Sequence, residues 1–359
     1  MSGGAAGATP SPRLRATPED FLVDEVAAFA PSGEGSHTFV RIEKRLRTTT
    51  EVARDLARAA GVAARDVGFA GRKDRVAVTR QWFSLPGVDP ERALSFDLPG
   101  VRVLEAARHP HKLRTGHLRA NRFELRVRDA PPNLVVRARE RLAVLERLGL
   151  PNRFGPQRFG REGDNAVRGA ALLRGELELR DRRAARFLVS ALQAEVFNEV
   201  LRRRPLPLDR VACGDVARVA ASGGLFVVED VARENERAGR FEISATGPIF
   251  GTRVHKPEGS VALREASVLA AFDIPDPEDM VPPRGVRLRG TRRPLRVPLE
   301  AVSLDEDREG VRLCVTLPAG SYASVLLHEL FGPLAEGPPA RDDGAAASRY
   351  AGGPGRESR

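Results

Sequence analysis

The stretch Gly68-Phe-Ala-Gly-Arg-Lys-Asp-Arg-Val-Ala-Val-Thr-Arg-Gln-Trp-Phe-Ser84 carries the most informative pattern in this chain of 359 residues. Two glycines and an alanine precede an isolated carboxylate, Asp74, which lies between Lys73 and Arg75. Small residues let a backbone or a ligand approach closely, and the flanking cations favour the ionised carboxylate. An alternating run begins at Val76, so the pattern predicts a loop that presents Asp74 at the start of a β-strand.

The charged residues 72–75 also suit a plain solvated turn, because charged side chains are mostly exposed. The residues that follow argue for a functional site. Gln81, Trp82 and Phe83 come directly after the alternating run, and Trp82 is the only tryptophan in the sequence. On this stretch alone both interpretations stay open.

Composition points to a polyanionic partner outside the membrane. The net charge is +10, and such a charge favours binding to nucleic acid over binding to a membrane. Most of the cations are arginines, however, and a coding bias toward Ala, Arg, Gly and Pro explains their number equally well. The two cysteines are too few for a disulfide framework and have no zinc-ligand spacing. No run of 18 apolar residues and no signal-peptide pattern is found. We therefore expect a soluble, cytoplasmic protein without a membrane contact.

The helix signals are clearest between the first predicted strand, over 38–43, and the loop that carries Asp74. Thr48 and Glu51 have capping-box spacing, Val52 and Leu56 lie four residues apart on one face, and Gly61 is a helix stop. Other helices are predicted up to residue 149, over 181–203 and over 325–330, and a further strand over 122–128. The alternation of helices with hairpin-spaced strands predicts an α+β protein.

Several segments, in this order along the chain, resemble motifs of the TruD family of tRNA pseudouridine synthases. They span about residues 13 to 332, and it is their common order that makes the resemblance specific. The segments are Pro18-Glu-Asp-Phe21, Ala70-Gly-Arg-Lys-Asp74, Arg119-Ala-Asn-Arg-Phe123, Phe154-Gly-Pro-Gln-Arg-Phe-Gly-Arg161, Asp164-Asn-Ala-Val-Arg168 and Leu317-Pro-Ala-Gly-Ser-Tyr-Ala323.

The resemblance implies a pseudouridine synthase catalytic core with a mixed or antiparallel sheet, interrupted by an inserted α+β TRUD domain. The implied boundaries are 13–151 and 304–335 for the two catalytic segments and 152–303 for the inserted domain. Residues 1–12 and 336–359, rich in Gly, Ala and Pro, are predicted to be disordered tails. The RNA is expected to lie in a basic cleft between the two domains.

The activity implied by the resemblance is the isomerisation of uridine to pseudouridine at position 13, in the D arm of tRNA, without cofactor or metal. The target base must leave its stack before the bond between C1′ and N1 is broken and the base is rejoined through C5. Asp74 matches the catalytic aspartate of the family. A single carboxylate suffices for the chemistry, either as nucleophile or as base.

The substrate-binding residues are also implied by the resemblance, and each has a structural alternative. Phe21, Phe123 and Tyr322 could stack on the flipped base, and Asn121 could bind its polar edge. Equally, Phe123 could be plain core, Phe21 could anchor a strand and Asn121 could belong to a turn. Tyr322 stands where some family members have phenylalanine, which leaves the role of its hydroxyl open.

Four cations, Arg15, Lys44, Lys73 and Arg75, are candidates for holding the RNA backbone or for pairing with Asp74. For each taken singly, a solvated surface ion pair is the simpler interpretation.

Two other functions are compatible with parts of the same sequence. A non-catalytic RNA-binding protein would use the same basic surface, and a hydrolytic nuclease would also suit basic charge and lone carboxylates. Metal-dependent nucleases need several carboxylates around the ion, and none cluster near Asp74 in the sequence. His109, His111 and His117 lack the companions of a metal site. Without coiled-coil heptads the protein is expected to be a monomer.

Overall fold

The computed structural model describes residues 11–337, apart from 277, 278, 280, 282 and 284. The predicted tails therefore lie outside the described residues except at 11–12 and 336–337. No helix in the described part of the chain has the length and apolar character needed to cross a membrane.

The longest strands lie between residues 37 and 128 and between residues 300 and 318, and the others are shorter. In chain order they are β1 (Arg13–Leu14), β2 (Phe21–Ala27), β3 (His37–Arg45), β4 (Gly68–Phe69), β5 (Val78–Pro86), β6 (Val101–His109), β7 (Leu118–Arg128), β8 (Leu150–Pro151), β9 (Val216–Val219), β10 (Leu225–Val227), β11 (Ile243–Ile249), β12 (Thr291–Pro294), β13 (Arg296–Val297), β14 (Glu300–Asp307), β15 (Gly310–Pro318) and β16 (Ala335–Glu336).

The α-helices are spread along the chain, and the two longest lie between residues 132 and 202. They are α1 (Thr49–Ala60), α2 (Pro90–Leu94), α3 (Pro132–Leu148), α4 (Asn165–Leu173), α5 (Arg182–Arg202), α6 (Val231–Gly239), α7 (Gly259–Ala271) and α8 (Ala323–Phe331).

The chain divides into two compact units, of which the first contains 11–131, Val302–Ala319 and 334–337 among the described residues. The second contains Pro132–Ala301 and Gly320–Pro333, so α3 and α8, which pack on each other, both belong to it. The resemblance instead places both helices in the catalytic segments 13–151 and 304–335. The two units are defined by contacts within the folded chain, which do not show which segment was inserted. The boundaries of the catalytic segments and of the inserted domain therefore stay a prediction.

The first unit is built on one sheet, with the strand order β14-β15-β7-β2-β5-β3-β6. The β15–β7, β7–β2, β5–β3 and β3–β6 pairs are antiparallel, whereas β2 and β5 are parallel. Short strands extend it: β1 pairs with β7 and β16, and β4 pairs with β5. The sheet is therefore mixed, as predicted.

Helix α1 covers one face of this sheet and has the predicted ends. Thr48 Oγ1 accepts a hydrogen bond from the Glu51 amide while the Glu51 carboxylate accepts from the Thr48 amide, which completes the capping box. Gly61 ends the helix with φ +72°, a left-handed conformation that glycine adopts at little cost. Val52 and Leu56 are fully buried against the sheet, and each contributes about 1.5–3 kcal/mol by its burial.

The register of the sheet places polar residues on its buried faces. On β2 the alternation that buries Phe21 and Val23 also buries Glu25, which lies opposite Asn121 of β7. On β3 the same alternation carries Lys44 inward. A charged residue on the buried face of a strand needs a partner, and the loop that carries Asp74 contains those partners.

The second unit combines helices with a small sheet of order β10-β9-β11-β12. Helix α5 packs on β11 and buries Val196 and Phe197 completely. Asp181 caps the helix by accepting from the Arg183 amide, so the predicted helix over 181–203 is confirmed as α5.

Two sequence predictions need correction. Strand β5 begins at Val78 and not at Val76, because residues 74–77 form a turn in which the Ala77 amide donates to the Arg75 carbonyl at 3.0 Å. The region from 204 to 251, which is punctuated by Gly and Pro, predicts short strands, and the structure shows that it also contains α6. Asp230 caps this helix by accepting from the Arg233 amide, a local signal that the apolar pattern hides.

Candidate active site

Asp74 lies on the loop between β4 and β5, and its carboxylate is bound by Arg15. The Arg15 guanidinium is 2.7 Å from Asp74 Oδ2, and it also reaches Glu336 at 3.2 Å. The Asp74 side chain is 37% exposed, whereas that of Arg15 is 11% exposed. Arg15 has φ +56°, and its guanidinium stacks 4.1 Å from the ring centre of Phe21. The Phe21 ring thus holds the Arg15 guanidinium in place, while the Asp74 carboxylate remains accessible to solvent.

Lys44 holds the backbone of the same residue. Its Nζ donates to the Asp74 carbonyl at 2.9 Å and to the Arg47 carbonyl at 2.6 Å, and the residue is 1% exposed. Burial lowers the pKa of Lys44 to about 8, against the attraction of the Asp74 carboxylate, which raises it. Asp74 is therefore held at its side chain and at its backbone by two different cations.

Lys73 lies next to Asp74 in sequence but points to other partners. Its Nζ is 2.7 Å from Glu25 Oε2 and donates to Asn121 Oδ1 at 2.8 Å. The side chains of Lys73 and Glu25 are 6% and 1% exposed. The other carboxylate oxygen of Glu25 accepts from the Trp82 amide at 3.2 Å. Lys73 thus connects the loop to both Glu25 of β2 and Asn121 of β7, which lie opposite each other in the sheet.

Two polar side chains fix the backbone at the start of the loop. The Lys73 amide donates to Thr49 Oγ1 at 2.9 Å, and this hydroxyl donates to Gln81 Oε1 at 2.9 Å. The side-chain nitrogen of Gln81, Nε2, donates in turn to the Gly71 carbonyl at 3.3 Å. Helix α1 and strand β5 therefore share the support of the loop, and buried hydrogen-bond networks of this kind restrict motion.

The two predicted platform residues of this unit pack on each other. The ring centres of Phe21 and Phe123 are 6.2 Å apart with an interplanar angle of 80°, and the residues are 3% and 7% exposed. This is the edge-to-face geometry of ordinary aromatic packing. Burial alone does not assign either ring to the base or to the core, so the stacking role stays a prediction.

Tyr322 lies in the second unit, at the N-terminus of α8. Its ring centre is 6.0 Å from that of Phe154. A Cβ on Gly155 would lie 2.8 Å from Ser324 Oγ and 3.2 Å from the Tyr322 ring, so a larger residue would have to displace these side chains. The structure thus joins two segments that are more than 160 residues apart in sequence, the motif at 154–161 and the one that ends at 323.

Arg293 completes this second cluster. Its guanidinium stacks 4.2 Å from the ring centre of Phe154 and donates to the Gly320 carbonyl at 2.9 Å. Burial lowers the pKa of Arg293 to about 10, with Tyr322 acting in the opposite direction. Arg293 remains protonated at neutral pH and fixes the turn that precedes Tyr322.

Sequence reasoning found Asp74, Arg15, Lys44, Lys73 and Asn121, all of which meet in the first unit. It assigned no supporting role to Glu25, Thr49 or Gln81. Glu25 carried a usable signal, because it continues the buried alternation of β2. Gln81 was noted only as part of the stretch that follows Asp74, and Thr49 was not singled out, since their contacts depend on how α1 is placed on the sheet.

The arrangement suits attack or proton transfer by a carboxylate. A half-exposed carboxylate on a rigid loop reaches a bound molecule without reorganising. Among the described residues, no three or more His, Cys, Asp or Glu side chains are grouped so that they could hold a metal ion.

Comparison with protein families gives one match over most of the chain. The family described as tRNA pseudouridine synthase D (TruD) matches residues 9–180 and 178–330.

Curated relatives carry the same name. The tRNA pseudouridine synthase D of Anaeromyxobacter sp. (strain Fw109-5) is 47% identical over 92% of this chain and 95% of its own length. That of Thermus thermophilus is 44% identical over 88% of each chain. That of Geobacter metallireducens is 40% identical over 88% of this chain and 94% of its own length.

A solved structure has the same architecture. The putative tRNA pseudouridine synthase D (TruD) from Methanosarcina mazei superposes with a TM-score of 0.73 at 21% identity, covering 93% of this chain and 96% of its own. This likeness confirms the predicted α+β fold.

Proposed function

The chain belongs to the TruD family of tRNA pseudouridine synthases, and we propose that Asp74 is the residue on which its reaction depends. The protein isomerises uridine to pseudouridine in tRNA. The observation that carries the role of Asp74 is its unequal burial: a carboxylate 37% exposed is held by a guanidinium only 11% exposed. The carboxylate is thus fixed by a buried cation and still accessible to a bound molecule.

The reaction requires that the protein position the target uridine and provide one carboxylate. The glycosidic bond between C1′ and N1 breaks, the base turns, and a bond forms between C1′ and C5. The hydrogen on C5 leaves as a proton, and N1 takes up a proton, so the product is an isomer of uridine. Asp74 could attack C1′ or accept a proton, and the contact with Arg15 stabilises its negative charge before the reaction. Both routes stay open.

We infer that Asn121 contacts the flipped base through its amide nitrogen. The ammonium of Lys73 can only donate, so the atom of Asn121 that it meets at 2.8 Å is the oxygen. The NH₂ group is the part of the side chain that can donate to a uracil carbonyl. Stacking by Phe21, Phe123 and Tyr322 is proposed from the family resemblance.

Position 13 in the D arm is the proposed target, again from the family resemblance. The substrate is a polyanion, so its binding is expected to weaken with salt as phosphate contacts release counterions. Arg15 and Lys73 were predicted candidates for the phosphate contacts. Both side chains are engaged inside the first unit, with Asp74 and Glu25, which favours a positioning role for them. Independence from metal and cofactor, a monomeric state and a cytoplasmic location stay predictions.

The deciding experiment is the release of tritium from tRNA transcribed with 5-tritiated uridine, without added metal. Asp74→Asn keeps the shape of the side chain and removes its charge, so we expect tRNA binding at the wild-type level and no turnover. Asp24→Asn is the matched control: Asp24 also pairs with an arginine on this sheet, contacting Arg41 at 2.9 and 3.0 Å. It should keep wild-type activity.

Turnover by Asp74→Asn at the wild-type rate would contradict the role of Asp74. Release that maps outside the D arm would contradict the proposed target position alone. If no tRNA released tritium with the wild-type protein despite tight, salt-sensitive binding, the non-catalytic RNA-binding alternative would apply to this chain.

A further inference from the structure

Lys44 is a buried lysine whose ammonium group contacts backbone carbonyls instead of a carboxylate. It is 1% exposed, and its Nζ donates to the carbonyls of Asp74 and Arg47. No carboxylate pairs with it directly within the described residues. An ammonium taken out of water without a direct counterion is costly, so a neutral residue would suit a purely structural position better.

The surrounding segment joins the end of β3 to the loop that carries Asp74. The Leu46 amide lies 3.4 Å from the Ala77 carbonyl, and Arg75 Nε donates to the Leu46 carbonyl at 3.3 Å. Leu46 has φ +57°, a left-handed conformation that is unfavourable for leucine. The connection between β3 and α1 therefore contains a strained residue, Leu46, which contacts Arg75 and Ala77. The preceding Lys44 contacts Asp74.

We propose that Lys44 is a positioning residue for Asp74: its ammonium fixes the Asp74 peptide, and thereby the direction of the reactive carboxylate. The inference rests on the proposed role of Asp74. It assigns different tasks to the two cations, since Arg15 contacts the carboxylate and Lys44 contacts the backbone that carries it. Small displacements of a catalytic group are enough to slow a reaction strongly.

The charges that face Lys44 come from several elements. Asp74 and Glu51 favour its ammonium form, whereas Lys73 and Arg47 oppose it. Burial outweighs all four and lowers its pKa to about 8. Charged donors make stronger hydrogen bonds than neutral ones. The hydrogen bond from Lys44 to the Asp74 carbonyl should therefore weaken as the pH rises through this value.

The test compares two lysines that make the same kind of contact. Lys44→Met removes the donor and keeps the length of the side chain. Lys112→Met is the control, because Lys112 Nζ likewise donates to the backbone and lies elsewhere in the same unit. It contacts one carbonyl, that of Arg65, at 2.6 Å. Single-turnover tritium release with enzyme in excess measures the chemical step, and a filter-binding titration measures the affinity for tRNA.

For Lys44→Met we expect a rate lowered about tenfold to a hundredfold, as for a displaced catalytic group, with tRNA affinity unchanged. Lys112→Met should match the wild type, and Lys44→Arg should recover part of the loss. A wild-type rate for Lys44→Met, an equal loss in Lys112→Met, or a loss of affinity alone would each overturn the proposal. So would failure of both Lys44→Met and Lys44→Gln to fold while Lys112→Met folds, because Lys44 would then serve stability.

The ratio of wild-type to Lys44→Met rates should shrink as the pH rises from 7 to 9.5, because only the wild type has a charge to lose at residue 44. A constant ratio would contradict the positioning role. Asp74→Asn in the same assay separates the two proposals: if it is inactive while Lys44→Met is fully active, only the role of Lys44 fails. If Asp74→Asn is active, the role of Asp74 fails as well.

Discussion

Each unit of this protein stacks an arginine on a phenylalanine ring, but the two arginines have different partners. Arg15 lies 4.1 Å from the ring centre of Phe21 in the first unit, and Arg293 lies 4.2 Å from that of Phe154 in the second. Arg15 binds a half-exposed carboxylate, that of Asp74. Arg293 donates to backbone carbonyls instead.

The difference shows how the same contact serves chemistry in one place and architecture in the other. A ring fixes the guanidinium in both cases. In the first unit the fixed cation stabilises a negative charge that can still reach a substrate. In the second unit no carboxylate among the described residues pairs with Arg293, and burial lowers its pKa to about 10. Its hydrogen bonds go to Asn152 and to the Gly320 carbonyl, where they support the local structure.

The buried ion pairs of the two units give the strongest test of this contrast. Lys73–Glu25 and Arg292–Glu265 are both nearly inaccessible to solvent. Glu25→Gln and Glu265→Gln each leave a buried cation uncompensated, so both should lower the free energy of unfolding, by about 3–5 kcal/mol. Urea unfolding measures this loss. Turnover below the unfolding transition should fall at least about tenfold for Glu25→Gln and stay near wild type for Glu265→Gln.

Equal turnover in the two glutamine variants would remove the distinction between the units. It would mean that the Lys73–Glu25 pair supports the fold and does not position the loop.

The pH dependence of stability sharpens the contrast between Lys44 and the arginines. Folding lowers the pKa of Lys44 from 10.5 to about 8, so between these values the unfolded chain binds more protons and stability rises with pH. The rise should reach about 3 kcal/mol from below pH 8 to above pH 10.5. Lys44→Met lacks this contribution, so the stability of the wild type relative to Lys44→Met should increase over this range in urea titrations. A constant difference would contradict the burial of the charged form.

Replacement of each stacked arginine by lysine should separate activity from stability. Lysine keeps the charge but loses the planar fork and the stacking. Arg15→Lys should lower turnover about tenfold, equivalent to about 1.4 kcal/mol, with little change in melting temperature. Arg293→Lys should lower stability by about 1–2 kcal/mol with turnover close to wild type. The reverse outcome would exchange the roles assigned to the two sites.

The smallest effect is expected at Tyr322. Tyr322→Phe keeps the ring that packs against Phe154 and removes only the hydroxyl, so tritium release should change by less than about threefold, within the range of one weak hydrogen bond. Tyr322→Leu, which removes the flat ring, should cost more if the ring stacks on a base. Equal activity of all three proteins would argue against a stacking role.

Much of the candidate site was predictable from the sequence because its residues lie in local patterns. Asp74 stands alone between cations after small residues, and the capping box at Thr48 with the stop at Gly61 placed α1 correctly. The partners of these residues were not predictable in the same way. Arg15 and Lys44 were both candidates to pair with Asp74, and only the structure shows that one takes the carboxylate and the other the carbonyl.

By itself the sequence determined the fold class, the family and the position of the reactive loop, because motif order, capping residues and alternation are local features of a chain. The tertiary structure decided which charges are buried and what they contact. The β2–β7 register places Glu25 beside Asn121, and the end of β3 brings Lys44 to the Asp74 carbonyl. Such contacts join residues 30 to 100 positions apart, and their strength depends on exclusion from water, which no local pattern records.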